Sequence, residues 1–167
     1  MFKKILLAVL VAAPMCLSAQ TLKFGAVSPS EIFNVMPEVT TANNTLKGVQ
    51  DKYAAQAKPI EDELQKKYGE YQELVKNKAP EATLEAKQKE ITDLNTRYEN
   101  FVQTAQKDLQ QQQETLLAPI QQKLVNAIQA VGAEGGYAGI LDAATLLYKG
   151  NNIEDVSAKV KAKLGIK

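Results

Sequence analysis

Cys16 is the only thiol in the chain and histidine is absent. Those two facts remove cysteine–histidine and serine–histidine catalysis of the usual kinds and leave zinc or copper without favoured ligands. Carboxylates recur in pairs, Asp62 with Glu63 and Glu85 with Glu90. Acid–base work by such a pair needs a pocket that shifts its acidity, and these lie in amphipathic stretches where a carboxylate is solvated. Gly135, Gly136 and Gly139 fail the dinucleotide fingerprint, since no strand precedes them and no long helix follows. The chain is therefore read as a non-enzyme with no cofactor. What remains is binding chemistry. Tyr53, Tyr68, Tyr71, Tyr98 and Phe101 offer rings to a partner or to a helix seam, and at helical spacing the seam is the plainer reading. Lys76, Lys78, Lys87 and Lys89 flank one predicted turn, although Glu73, Glu81, Glu85 and Glu90 dilute them.

The N-terminus, MFKKILLAVLVAAPMCLSAQ, has Lys3 and Lys4 before an apolar run and small residues Ser18 and Ala19 before Gln20. That order reads as a cleaved secretory signal over residues 1–19. The run is shorter than the roughly 20 residues a bilayer span needs, which weakens a retained anchor. Lipidation of Cys16 is a minor option, because Ala13, Pro14 and Met15 lack the usual small-residue pattern. Cleavage removes the only thiol, and losing Lys3 and Lys4 turns a net charge of +1 into one negative charge. Such a near-neutral chain has no global attraction to nucleic acid or anionic membrane.

The elements that must position these side chains are mostly helical. LKFGAV, from Leu22 to Val27, reads as a strand, and SPSE follows with Ser28 as cap, Pro29 in the first turn and Glu31 reaching back. That short helix ends near Met36–Pro37. From Glu38 to about Lys76, Val39, Ala42, Leu46, Val49, Tyr53, Ala57, Ile60, Leu64, Tyr68, Tyr71 and Val75 keep three- and four-residue steps, the pattern of one amphipathic helix. NKAPE then breaks the pattern, which resumes at Leu84 and continues to Val131. Two long helices joined so briefly should lie antiparallel, with cross-pairs whose numbers sum to about 159. The arm, 38–117 with its tip near 77–82, should reach on the order of 55 to 60 Å.

The segment DLQQQQETLLAPIQQKL, Asp108 to Leu124, holds glutamines and a proline inside this pattern. Pro119 falls opposite Thr40 and should kink the returning helix where the arm joins its base. Pro59, unmatched across the hairpin, should mark a bend or weak point. After Gly132, Tyr137–Leu141 and Thr145–Tyr148 read as two short strands around an Asp142-Ala143-Ala144 turn. A last helix is expected, capped by Asp155, with Val156, Val160 and Leu164 on one face and Gly165 at its exit.

The fold class is thus α+β, mostly α: a long helical hairpin on a small β-rich body formed by 20–37 and 118–167. An arm with one apolar residue per turn buries a narrow seam, and so small a sheet is marginal alone. The body should self-associate, with Phe24, Val27, Ile120, Leu124, Ile140, Leu141 and Leu147 as candidate oligomerisation residues.

The order of elements and several motifs resemble the Skp/OmpH family of periplasmic chaperones. The matching stretches are FGAVSPSEIFNVMPE (Phe24–Glu38), RYENFVQTAQKDLQQQQETLLAPI (Arg97–Ile120), AEGGYAGILDA (Ala133–Ala143), LLY (Leu146–Tyr148) and DVSAKVKAKL (Asp155–Leu164). The resemblance implies a homotrimer whose arms surround a cavity for unfolded outer-membrane proteins, working without nucleotide. The five aromatics above are candidate client contacts beside the plainer seam reading, and the four tip lysines are the nearest equivalent of a basic tip for membrane or lipopolysaccharide, set against an ordinary solvated helix surface. The glutamines would line a neutral, hydrated cavity wall. Described members are strongly basic, and this chain departs from them in being nearly neutral. A structural or tethering coiled coil of the envelope is the alternative, though the prolines and the drift from strict sevens count against it.

Overall fold

The computed structural model describes residues 22–166. Residues 1–19, read as a signal, and Cys16 with them, lie outside the described residues. Among the described residues no helix is long and apolar enough to cross a membrane. The chain order is β1 (Phe24–Val27), α1 (Pro29–Val35), α2 (Pro37–Lys76), α3 (Glu81–Glu134), β2 (Gly139–Asp142), a 3₁₀ turn (Ala143–Thr145), β3 (Ile153–Asp155) and α4 (Ser157–Leu164).

The two long helices form the antiparallel hairpin that the apolar spacing predicts. α2 has 40 residues and runs unbroken through Pro59; α3 has 54 and runs unbroken through Pro119. Cross-pairs such as Tyr98 with Glu61 and Tyr53 with Asp108 sit close to the expected register. Pro119 is exposed within the continuous α3, and Ile120 beside it is the first buried residue of α3 in the body core.

All three long or terminal helices end in the same way. The Schellman arrangement pairs a residue just past the helix with a carbonyl five back and places the residue before it in the left-handed region. Ile166 N–H donates to the Lys161 carbonyl at 2.9 Å after Gly165 (φ 74°). Tyr137 donates to Gly132 at 3.1 Å after Gly136 (φ 62°). At the tip Ala79 donates to Leu74 at 3.0 Å, but the left-handed residue is Lys78 (φ 52°), a side chain where glycine would carry no steric penalty.

The sheet has the order β2-β1-β3, and both edge strands run parallel to β1. Here the sequence expectation needs correcting. Thr145–Tyr148 is not a strand. Asp142 accepts the Ala144 N–H at 2.9 Å and the backbone tightens into the 3₁₀ turn, after which Leu146 to Tyr148 join no strand of the described sheet. The third strand is Ile153–Asp155, with Gly25 opposite both Ile140 and Glu154. The helix-entry expectations divide. Ser28 occupies the cap position of α1 without a side-chain cap bond, its Oγ lying 3.3 Å from that of Ser30. Asp155 does accept the Ser157 N–H at 2.9 Å where α4 begins.

The core sits at the base. Val27, Ile32, Met36, Val39, Ile120, Leu124, Val131, Val156 and Val160 are buried together, drawn from β1, all four helices and the entry to α4. Met36, Val156 and Val160 are fully enclosed. A second, small cluster lies far along the arm: Leu64, Ile91 and Leu94, flanked by Ile60, Tyr71 and Tyr98.

Candidate functional site

The arm is the first surface to consider. Four of the five aromatics make defined contacts across the hairpin. Tyr53 meets Phe101 edge-to-face with centroids 5.9 Å apart, and its hydroxyl donates to Asp108 at 2.8 Å. Tyr98 donates to Glu61 at 2.6 Å, and Asn95 donates to the Tyr68 hydroxyl at 2.9 Å. Tyr71 packs against the small arm cluster. Each ring thus lies along the seam with one edge open to solvent; Tyr68 is 44% exposed. The carboxylate partners Glu61 and Asp108 hold the tyrosines in the neutral, donating form, so Tyr98 and Tyr53 titrate above the ordinary tyrosine value. Their partners were not legible as such, because each lies on the opposite helix.

Ion pairs fix the register nearer the tip. Lys67 reaches Glu90 at 2.8 Å, and Lys87 lies 3.2 Å from both Glu70 and Glu90. The two lysines hold Glu90 below its usual value, Lys67 contributing most. Among the four tip lysines, Lys87 is therefore engaged across the hairpin, and Lys76 lies 3.7 Å from Glu73 on its own helix. Lys78 and Lys89 are exposed and make no ion pair among the described residues. The structure separates the four lysines into two paired and two free.

The body presents the second surface. Val27, Ile120 and Leu124 are buried within the single chain and offer no side-chain surface to another copy. Phe24 and Ile140 are half-buried, the latter against the core. Leu141 and Leu147 are open, at 38% and 105% exposure, and Tyr148 and Leu22 add to them, neither singled out from the sequence. The spacing of LLY pointed to a strand, and it was the loss of that strand that left Leu147 and Tyr148 in solvent.

A polar clasp ties the same region together and had no sequence signal, because its members come from four separate segments. Lys23 sits over the Tyr137 ring at 4.2 Å and pairs with Glu154 at 2.9 Å. Lys159 reaches Glu154 at 2.5 Å and the Tyr137 hydroxyl at 2.8 Å. Hydrogen bonds from Lys159, then Lys23, then Tyr137 lower the Glu154 carboxyl to about 2. The clasp links β1, β3 and α4, and Lys159 also lines an open groove of about 500 Å³ with Val131, Glu134, Gly135, Ala162 and Lys163. Asp62, Glu63, Glu85 and Glu90 are exposed, and among the described residues no group of acidic side chains is placed to hold a metal ion.

A long antiparallel helical arm on a three-stranded parallel body defines the class to which this chain belongs. The profile of the OmpH-like outer membrane protein family matches residues 23–164, nearly every described residue. The chain belongs to that family. A solved structure of a candidate outer membrane chaperone (OmpH-like) from Caulobacter crescentus CB15 is similar, with a TM-score of 0.69 at 16% identity over 86% of this chain and 83% of the other. At that identity the likeness is one of fold. Among curated proteins no sequence relative matches.

Proposed function

We propose that the protein is an ATP-independent holdase of the periplasm, reached through a cleaved signal, that keeps unfolded outer-membrane proteins from aggregating. In this reading three copies associate through the open face of the body, around Phe24, Leu141, Leu147 and Tyr148, and their arms enclose the client. The observation that carries it is the contrast between a long arm, with open ring edges and polar grooves along a narrow seam, and a body with exposed apolar residues. The family membership supports a chaperone at the coarser level. Contact with membrane or lipopolysaccharide at the tip falls to Lys78 and Lys89, the two tip lysines without ion pairs.

The test is light scattering after a urea-unfolded outer-membrane β-barrel protein is diluted into buffer with the purified protein and no nucleotide. Suppression saturating near three copies per client supports the trimeric holdase. Unchanged aggregation returns the tethering coiled coil to first place. Removal of arm residues 60 to 100 should abolish holding while the assembled body keeps its number of copies.

A further inference from the structure

Between the two packed clusters the hairpin seam opens into a groove of about 460 Å³ at the level of Leu46 and Leu109. Its walls carry primary amides from both helices: Asn43 and Gln50 on α2, and Gln106, Gln110 and Gln113 on α3. Gln110 donates to Glu114 at 3.2 Å, which leaves its carbonyl oxygen open. Asn43, Gln50, Gln106 and Gln113 make no side-chain hydrogen bond among the described residues, whereas the neighbouring Gln112 is tied to Asp108 at 2.6 Å. A second groove continues along α3 from the same Gln110 and Gln113 toward Gln121 and the body.

The chemistry of these walls is specific. A primary amide offers one acceptor and two donors, the complement of a peptide group, and carries no charge. The one lysine on the groove, Lys47, is engaged with Asp51 at 3.0 Å. Groups of this kind do not select for the charge or the size of a side chain. They pair with backbone N–H and C=O, which every unfolded chain exposes. The dimensions agree. Gln106 to Gln113 spans about 10 Å of helix, the rise of about three residues of extended chain. Leu46 and Leu109, half-buried in the floor, can receive one side chain of such a segment.

We propose that this groove binds an extended segment of unfolded polypeptide through its backbone, the amides of Gln106, Gln110, Gln113 and Gln50 acting as a sequence-independent reader. The proposal rests on the holdase reading and gives it a site. It also accounts for glutamine rather than glutamate or lysine at positions 106, 110 and 113, since a charge there would impose a preference on the client.

The experiment uses a capped, uncharged ten-residue peptide and its analogue N-methylated at alternate backbone nitrogens, with nuclear magnetic resonance of the glutamine side-chain NH₂ groups. The parent peptide should shift the Gln106 and Gln113 signals, and the methylated analogue should bind about tenfold more weakly, as should the parent with the Gln106→Met, Gln110→Met, Gln113→Met variant. These exposed positions make no contact that folding needs, and circular dichroism checks that the variant keeps its helices. Equal binding of both peptides, or unchanged binding by the variant, overturns the proposal. So does a changed molecular mass of the variant, which would assign the groove to a contact between copies. If the wild-type protein fails to suppress client aggregation, the holdase reading falls. If it succeeds while both peptides bind alike, that reading stands and the amide groove alone is lost.

Discussion

Body and arm solve the burial problem in opposite ways. The body gathers side chains from β1, all four helices and the entry to α4 around Met36, Val156 and Val160, so that each buried residue is covered from several directions. The arm has only two helices, and its compact cluster, Leu64 with Ile91 and Leu94, has three buried residues flanked by Ile60, Tyr71 and Tyr98. Elsewhere along the arm single contacts hold the register, such as Tyr53 on Phe101 or Lys67 on Glu90. The difference teaches that cooperativity here is local. A packed core opens as a unit, whereas a seam of pairwise contacts opens in stretches while the rest of the molecule stays folded.

The sharpest way to break this contrast is Leu124→Ala in the body. It should cost about 3 to 4 kcal/mol and lower the urea midpoint of the whole chain. Next is Gly135→Ala: a Cβ there would lie 2.2 Å from the Tyr137 ring, so the ring must leave the clasp, at about 2 to 3 kcal/mol, read by the same denaturation. Ile91→Ala in the arm should cost about 2 kcal/mol, but hydrogen exchange should place the loss in residues around the cluster and leave body amides as protected as before. Equal loss of protection in the body would show that the two regions unfold together.

Two smaller effects sharpen the comparison. Lys78→Gly relieves the left-handed φ at the tip and should stabilise the last turn of α2 by about 1 kcal/mol, seen as slower exchange of the Ala79 amide. Acid and alkali should separate the regions. Glu154 is lowered from 4.5 to about 2, so its contribution is complete above 4.5 and is lost progressively as pH falls from there through about 2. Tyr53 and Tyr98 are raised above 10, so their contribution is complete below 10 and is lost as pH rises through the elevated value. Carboxyl resonances should give a Glu154 midpoint near 2, and tyrosinate absorbance should show delayed titration that Glu61→Gln abolishes for Tyr98.

The sequence revealed the hairpin because helical periodicity is a local property repeated over many turns, and Pro80 after Lys78 marks its turn. The exit at Gly165 and the capping role of Asp155 were legible for the same reason. The parallel sheet was not. Ile153–Asp155 contains one β-branched residue and two acids, and only its place beside β1, over a hundred residues earlier in the chain, makes it a strand. Thr145–Tyr148 had better strand formers and no neighbour to pair with. The candidate surfaces divide along the same line. The seam aromatics followed from spacing, while the clasp of Lys23, Tyr137, Glu154 and Lys159 required four segments to meet. The open Leu147 and Tyr148 required a strand to be missing.

The parallel pairing of β1 with β2 bears on the order in which the molecule can form. β1 is the central strand, yet both of its neighbours lie beyond the end of α3. As the chain emerges from its N-terminus, the middle of the sheet appears first and stays unpaired until nearly all the rest has been made. The hairpin, whose contacts are nested around its tip, can zip from that tip in microseconds and carries the two distant strands toward each other as it closes. The arm is thus also the folding scaffold of the body: a rate-limiting loop closure is replaced by a zipper, and changes at the tip should slow assembly of a sheet some 60 Å away.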